Sequence, residues 1–86
     1  MSFSQSVPLV NLRKGDRGVI LALPEHSELR SQCIRLGICL GAHLQCSQRL
    51  PGGTIVIEIG RQEIAIGKAL AEGIEVSMEE GEAANR

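Results

Sequence analysis

Apolar and polar residues alternate along several short stretches of the chain, which is the pattern of strands that bury one face. In the first stretch Val19 and Leu21 share one face and Ile20 takes the other, so both faces are partly apolar. Glycine- and proline-containing turns separate the stretches. The alternation predicts five strands, over about residues 17–23, 42–49, 54–59, 62–66 and 74–76.

One segment departs from this alternation and follows helical spacing instead. Leu29, Cys33 and Leu36 recur every three or four residues, which predicts a helix over about residues 27–36. Ser27 is the expected N-cap, because its hydroxyl can accept a hydrogen bond from an unpaired N–H of the first turn. A further short turn of helix is expected in the stretch "KALAEG".

Four glycines are predicted to hold backbone positions that other residues resist: Gly15, Gly37, Gly41 and Gly60. Gly37 follows the last helical residue and is the expected left-handed residue of the C-cap, with Ile38 folding back onto the helix at Cys33. Gly60 belongs to a short hairpin turn. These glycines are therefore assigned structural roles.

The element order predicts a mostly β fold, a small SH3-like barrel of about five strands with one inserted helix. With 86 residues the chain has room for a single domain. We expect a flexible N-terminus over residues 1–8, the domain over residues 9–77, and a disordered acidic tail over residues 78–86.

The composition argues against several functions. The net charge is −1 and Phe3 is the only aromatic residue, so neither a basic field nor stacking side chains favour nucleic-acid binding. Binding of nucleic acid by the "RKGDRGVI" turn and strand nevertheless stays open as an alternative. Three cysteines without paired spacing indicate a reduced protein, and no signal or membrane-spanning stretch is evident, so a cytoplasmic location is expected.

The cysteines and histidines are the candidate metal ligands of the chain. Cys33 and Cys46 fall on the predicted apolar faces and are expected to be buried. Cys39 and His43 can approach each other across the turn at Gly41, with His26 as a distant third ligand. This set is incomplete for zinc or ferrous iron, so we expect no metal and no other cofactor. No nucleophile and base stand at a strand end, so we expect no enzyme activity.

Four stretches together resemble the FeoA family, small cytoplasmic accessory proteins of bacterial ferrous iron uptake. They are "LVNLRKGDRGVI", "IRLGICLG", "RLPGGTIVIEIG" and "IAIGKALAEGIEV". Leu40 and Thr54 stand where the family often has proline. The resemblance implies an SH3-like fold and docking to the membrane transporter FeoB, with membrane association only through that partner. Similar modules are fused behind metal-responsive repressors, so a regulatory module of that kind is an alternative.

The partner-binding surface is predicted on the helix and the loop that follows it. Arg30 and Arg35 would steer and hydrogen-bond the partner, while Ile38, Cys39 and Leu40 would supply apolar contact area. Whether copies of the chain associate with one another is left open by the sequence.

Overall fold

The computed structural model describes residues 6–79, which form six strands, two α-helices and one turn of 3-10 helix. The strands are antiparallel and form one sheet in the order β1-β6-β2-β3-β4-β5. The elements are β1 (Ser6–Pro8), a 3-10 turn (Leu9–Asn11), β2 (Arg17–Ala22), α1 (Ser27–Leu36), β3 (His43–Arg49), β4 (Ile55–Ile59), β5 (Gln62–Ile66), α2 (Lys68–Glu72) and β6 (Glu75–Met78).

The core lies on the inward face of this sheet and is closed by Cys33 of α1 and by α2. Alternating isoleucines build its centre, because Ile55 pairs with Ile66 and Ile57 with Ile64 across β4 and β5. The buried core cluster is aliphatic apart from two thiols: Leu9, Leu12, Ile20, Cys33, Ile38, Leu44, Cys46, Ile55, Ile57, Ile64, Ile66, Leu70, Ala71, Ile74 and Val76.

Two register shifts interrupt the pairing of the sheet. One lies between Ile20 and Ala22 where β2 pairs with β6, and the other between Cys46 and Gln48 where β3 pairs with β4. A bulge bends its strand and increases the local twist. The predicted mostly β, SH3-like fold is confirmed, and α1 spans the predicted residues 27–36.

The expected flexible segment over residues 1–8 has to be corrected at its end, and the strand count rises from five to six. Ser6–Pro8 forms β1, which pairs with β6. The hydroxyl of Ser6 also donates a hydrogen bond of 2.7 Å to Oε1 of Glu75. Three residues are too few for alternation to show, and the strand exists because β6 offers it a partner. Residues 1–5 lie outside the described residues.

The expected tail over residues 78–86 begins later than predicted. Met78 belongs to β6, and the N–H of Glu79 donates to the carbonyl of Arg17 at 2.9 Å. The rest of that segment, residues 80–86, lies outside the described residues.

Candidate docking surface

Helix α1 contacts the core by a narrow stripe. Cys33 is fully buried and Leu29 is partly buried, as their spacing predicts. Leu36 was expected on the same stripe but is exposed, because it is the last residue of the helix and no core element covers it. The N-cap is His26 and not Ser27, and no side chain caps that end.

The end of α1 is fixed by a Schellman motif. Gly37 has φ of 88°, its N–H donates to the carbonyl of Ile34 at 3.1 Å, and the N–H of Ile38 donates to that of Cys33 at 2.9 Å. Ile38 and Cys33 both have 0% exposure, which is the apolar contact that accompanies this motif. Ile38 was predicted to contact a partner, and that prediction is wrong because its side chain is in the core.

The loop from Ile38 to Gly41 is tied to strand β2. Gly41 has φ of 82° and donates its N–H to the carbonyl of Ile20 at 2.8 Å. The N–H of Ile20 in turn donates to the carbonyl of Ala42 at 3.0 Å. These bonds hold Leu40 near the C-terminal end of β2. The side chain of Leu40 is 62% exposed. Cys39 is also exposed, so two of the three predicted apolar contact residues face solvent.

Two further exposed apolar side chains near this loop were not assigned from the sequence. Ile34 is 61% exposed and Leu21 is 49% exposed. Ile34 lies about 100° around the helix axis from Cys33, so the helical pattern itself sets it off the buried stripe. Leu21 follows the buried Ile20 in β2 and therefore points to the opposite face of the sheet.

The two arginines predicted on this surface differ in their contacts. Arg30 is exposed, yet its Nε donates to the carbonyl of the buried Pro24 at 3.1 Å. Arg35 is exposed at the last turn of α1 and has no hydrogen bond or ion pair to another described side chain. Arg30 therefore fastens the helix to the end of β2, while Arg35 is available to a partner.

The three weak candidates for metal binding are placed on separate elements. His26 precedes α1, Cys39 lies on the loop after it, and His43 begins β3. Nδ1 of His43 lies 3.7 Å from Oε2 of Glu79. Among residues 6–79 no group of three His, Cys, Asp or Glu side chains could hold a metal ion. These three residues therefore do not converge on a shared metal site.

Cys33 and Cys46 are buried free thiols. Burial raises the pKa of the Cys33 thiol, because the charged thiolate loses its hydration. Burial also raises the pKa of Cys46, and the negative charge of Asp16 adds to that effect, while Arg49 and a hydrogen bond with the backbone of Gln48 oppose it. Both side chains are therefore held as neutral thiols and serve as small apolar residues.

The outer face of the sheet carries a surface groove of about 260 Å³. It is lined by Arg17, His43, Leu44, Gln45, Glu58 and Glu79. Its carboxylates stand beside an arginine and a histidine, and its lining contains no thiol or hydroxyl nucleophile next to a base. The lining of this groove therefore shows no catalytic arrangement.

In residues 6–79, neither α-helix combines the length and the apolar composition that a membrane crossing requires.

These features define the class of the protein: a small SH3-like β module whose most distinctive surface is an exposed helix and loop. A family model described as the FeoA domain matches residues 7–78. The chain belongs to the FeoA family. Membership supports a role in ferrous iron transport. No curated protein sequence gave a significant match.

Solved structures agree with this assignment. A crystal structure described as the iron uptake regulatory protein FeoA is 31% identical, with a TM-score of 0.81 over 87% of this chain and 100% of the other. The solution structure of FeoA from Chlorobium tepidum is 26% identical, with a TM-score of 0.74 over 88% of this chain and 76% of the other. A manganese-dependent transcriptional repressor has a TM-score of 0.80 at 21% identity, which shows similarity of fold alone. This chain covers 45% of that repressor.

Proposed function

We propose that this protein is an accessory protein of ferrous iron transport that docks on the cytoplasmic part of the FeoB transporter through α1 and the loop after it. The observation that carries the proposal is the exposure of Ile34, Leu40 and Arg35 on a backbone unit held rigid by the Schellman motif, in a chain of the FeoA family. Arginine is enriched among binding hot spots, and the exposed apolar side chains beside it supply contact area.

The proposed mechanism requires no chemistry in this chain. A preformed surface binds without first ordering its backbone, so little of the interaction energy is lost to conformational entropy. Docking would change the transporter's preference between its own conformations, since a ligand shifts an equilibrium by its difference in affinity for the two states.

Nucleic-acid binding is less well supported, although metal-dependent repressors share the fold. Two of the arginines are used for internal contacts: Arg30 donates to Pro24, and Nη1 of Arg49 donates to the carbonyl of Leu12 at 3.2 Å. Among the described residues no aromatic side chain is available for base stacking. A nucleic-acid retention assay on the purified protein should show no binding at physiological salt.

The docking proposal is tested by titrating the purified cytoplasmic part of FeoB with wild-type protein and with Arg35→Glu. Charge reversal of an exposed residue costs little folding stability but replaces attraction to a carboxylate by repulsion. We expect slower association and weaker binding, with an affinity that rises with added salt, the opposite of the wild type. Arg30→Glu should also weaken binding, but it removes the Pro24 contact and thus mixes two effects.

The matched control is Lys14→Glu, an equally large charge change on an exposed turn that precedes β2, at the strand end away from α1. This variant should bind as the wild type does. Identical affinities of wild type and Arg35→Glu at low and moderate salt would reject docking through this surface. The hairpin that carries Arg61 would then be the next surface to test.

A further inference from the structure

The charges of the chain are segregated along its sequence. No aspartate or glutamate occurs between Glu28 and Glu58, whereas the same stretch carries Arg30, Arg35 and Arg49. The stretch includes most of α1, the loop after it and β3. Glu28 is the one acidic residue of α1, so the rest of the helix and the loop after it carry two arginines and no carboxylate.

Three apolar side chains from three elements define what we call the docking strip: Leu21 of β2, Ile34 of α1 and Leu40 of the loop, the last two of which lie in this stretch. They are the most exposed large apolar side chains of residues 6–79, at 49%, 61% and 62%. The bond from Gly41 to Ile20 places the loop beside Leu21.

Helix α1 is held on the same side of the molecule by Arg30. Its Nε bond to the Pro24 carbonyl fastens one flank of the helix to the segment that follows β2. Ile34 is one turn further along that flank, since residues four apart in a helix lie one above the other. Arg30 and Arg35 lie on the same helix as Ile34, so their guanidinium groups stand on either side of its exposed side chain along the chain.

We propose that the docking strip binds an acidic amphipathic segment of a partner protein, with its apolar side chains on Ile34, Leu40 and Leu21 and its carboxylates on Arg35 and the free nitrogens of Arg30. The identity of the partner as FeoB rests on the proposed function, whereas the chemistry of the segment rests on the strip alone. Arginine pairs with carboxylates in a planar, two-bond geometry that an apolar border strengthens.

A second copy of this chain is a poorer occupant. A symmetric dimer centred on Ile34 and Leu40 places the same surface on both sides, so Arg35 of one copy would lie near Arg35 of the other, and Glu28, the one carboxylate of α1, is two helical turns away. Like charges brought together in a partly desolvated interface oppose association. Charge complementarity therefore favours an acidic partner.

The probe is a labelled synthetic helical peptide with leucines three and four residues apart and glutamates on the flanking positions. Two matched peptides carry lysine for each glutamate or serine for each leucine. Binding is followed by fluorescence anisotropy and mapped by amide chemical shifts of the full chain. We expect the glutamate peptide to bind at least about tenfold more tightly than either control. The amide chemical-shift changes that this peptide causes in the chain should be largest in α1 and in residues 38–42.

Variants of the chain locate the site. Ile34→Ser and Leu40→Ser should each weaken the glutamate peptide by about tenfold, whereas Leu50→Ser, at a 40% exposed leucine outside the strip, should not. The proposal is overturned by equal binding of the glutamate and lysine peptides or by an equal loss in Leu50→Ser. It is also overturned if removal of residues 80–86 strengthens the peptide's binding, since the chain's own acidic end would then be the occupant. Self-association that disappears in Leu40→Ser would assign the strip to a second copy.

The two proposals fail separately. If the FeoB part binds the wild type and both serine variants equally well, the strip is wrong while docking to FeoB stands. If the glutamate peptide binds the strip but the FeoB part does not bind at all, the assignment of FeoB is wrong while the strip stands.

Discussion

Gly37 joins the end of α1 to the loop that carries Leu40, and its backbone is left-handed at φ of 88°. A Cβ at this position would meet only Oε1 of Gln62, at 3.8 Å, so the requirement for glycine comes from the backbone and not from crowding. The direction in which the chain leaves α1 thus depends on the left-handed conformation of Gly37.

We therefore expect Gly37→Val to lower the free energy of unfolding by about 1 to 3 kcal/mol, because a β-branched residue resists the left-handed conformation. Urea denaturation measures this. Gly37→Asn is the matched control, since asparagine tolerates that conformation, and its loss should be clearly smaller. Equal stability of wild type and Gly37→Val would contradict the assigned C-cap.

The buried thiols give a second test at this scale. The pKa values of Cys33 and Cys46 are raised in the folded state. At alkaline pH the folded protein therefore retains thiol protons that the unfolded chain loses. Their contribution to stability is complete below the ordinary thiol pKa of about 8.5 and is lost as the pH rises through the folded-state values. The free energy of unfolding should fall on the alkaline side.

The control for this slope is the double variant Cys33→Ala, Cys46→Ala. Its stability is lower at neutral pH, because two buried side chains are shortened, but its decline between about pH 8 and 10 should be shallower than that of the wild type. Parallel curves for the two proteins would show that other groups cause the decline.

Single-residue features were predictable from the sequence where local backbone conformation or burial determines them. The glycine at the helix end and the two buried thiols follow from local rules. Ile38 received two incompatible assignments, because a side chain that folds back onto Cys33 is not able to face a partner as well. The C-cap motif decides between them in favour of the core.

Among the elements, β1 is the one that the sequence pattern missed. Its three residues carry no alternation, and their extended conformation is stabilised by pairing with β6 and by the Ser6 to Glu75 hydrogen bond. Strands of this kind are set by a partner distant in sequence, so no local window contains the signal. Helix α1, by contrast, was predicted at its observed bounds because its apolar spacing and its terminal glycine agree.

Removal of residues 1–8 tests the strand. If the segment were flexible, its loss would leave stability unchanged. We expect instead a loss of at least about 1 kcal/mol, because β6 loses a paired neighbour and the partly buried Val7 leaves the core. Thermal unfolding of this variant beside one that lacks only residues 1–5 isolates the contribution of β1. Identical melting temperatures for the two would count against it.

For the whole molecule, the fold was predictable and most of the docking strip was not. The fold follows from a repeated aliphatic alternation that has one economical way to be buried. The proposed strip combines Leu21, Ile34 and Leu40, which come from three elements, so no local stretch of sequence contains all three. Of these three, only Leu40 was predicted, from the loop on which it lies.

The separate placement of His26, Cys39 and His43 leads to a measurable expectation. Elemental analysis of the purified protein at neutral pH should find less than one equivalent of zinc or iron per chain, since three convergent ligands are the minimum for tight binding. The variant Cys39→Ser, His43→Ala provides the comparison. A full equivalent in the wild type that disappears in this variant would show that the loop brings its ligands together.

The position of β1 beside β6 has a consequence for how this domain can be built into longer chains. Ser6 pairs with Ser77, and Glu79 bonds to Arg17, so the described chain enters and leaves at the same end of β2. Helix α1 starts at the opposite end of that strand. A neighbouring domain fused at either terminus would thus be tethered away from the docking strip, and the strip would stay open to a second protein. Such an architecture allows one module to be covalently joined to one protein while it engages another.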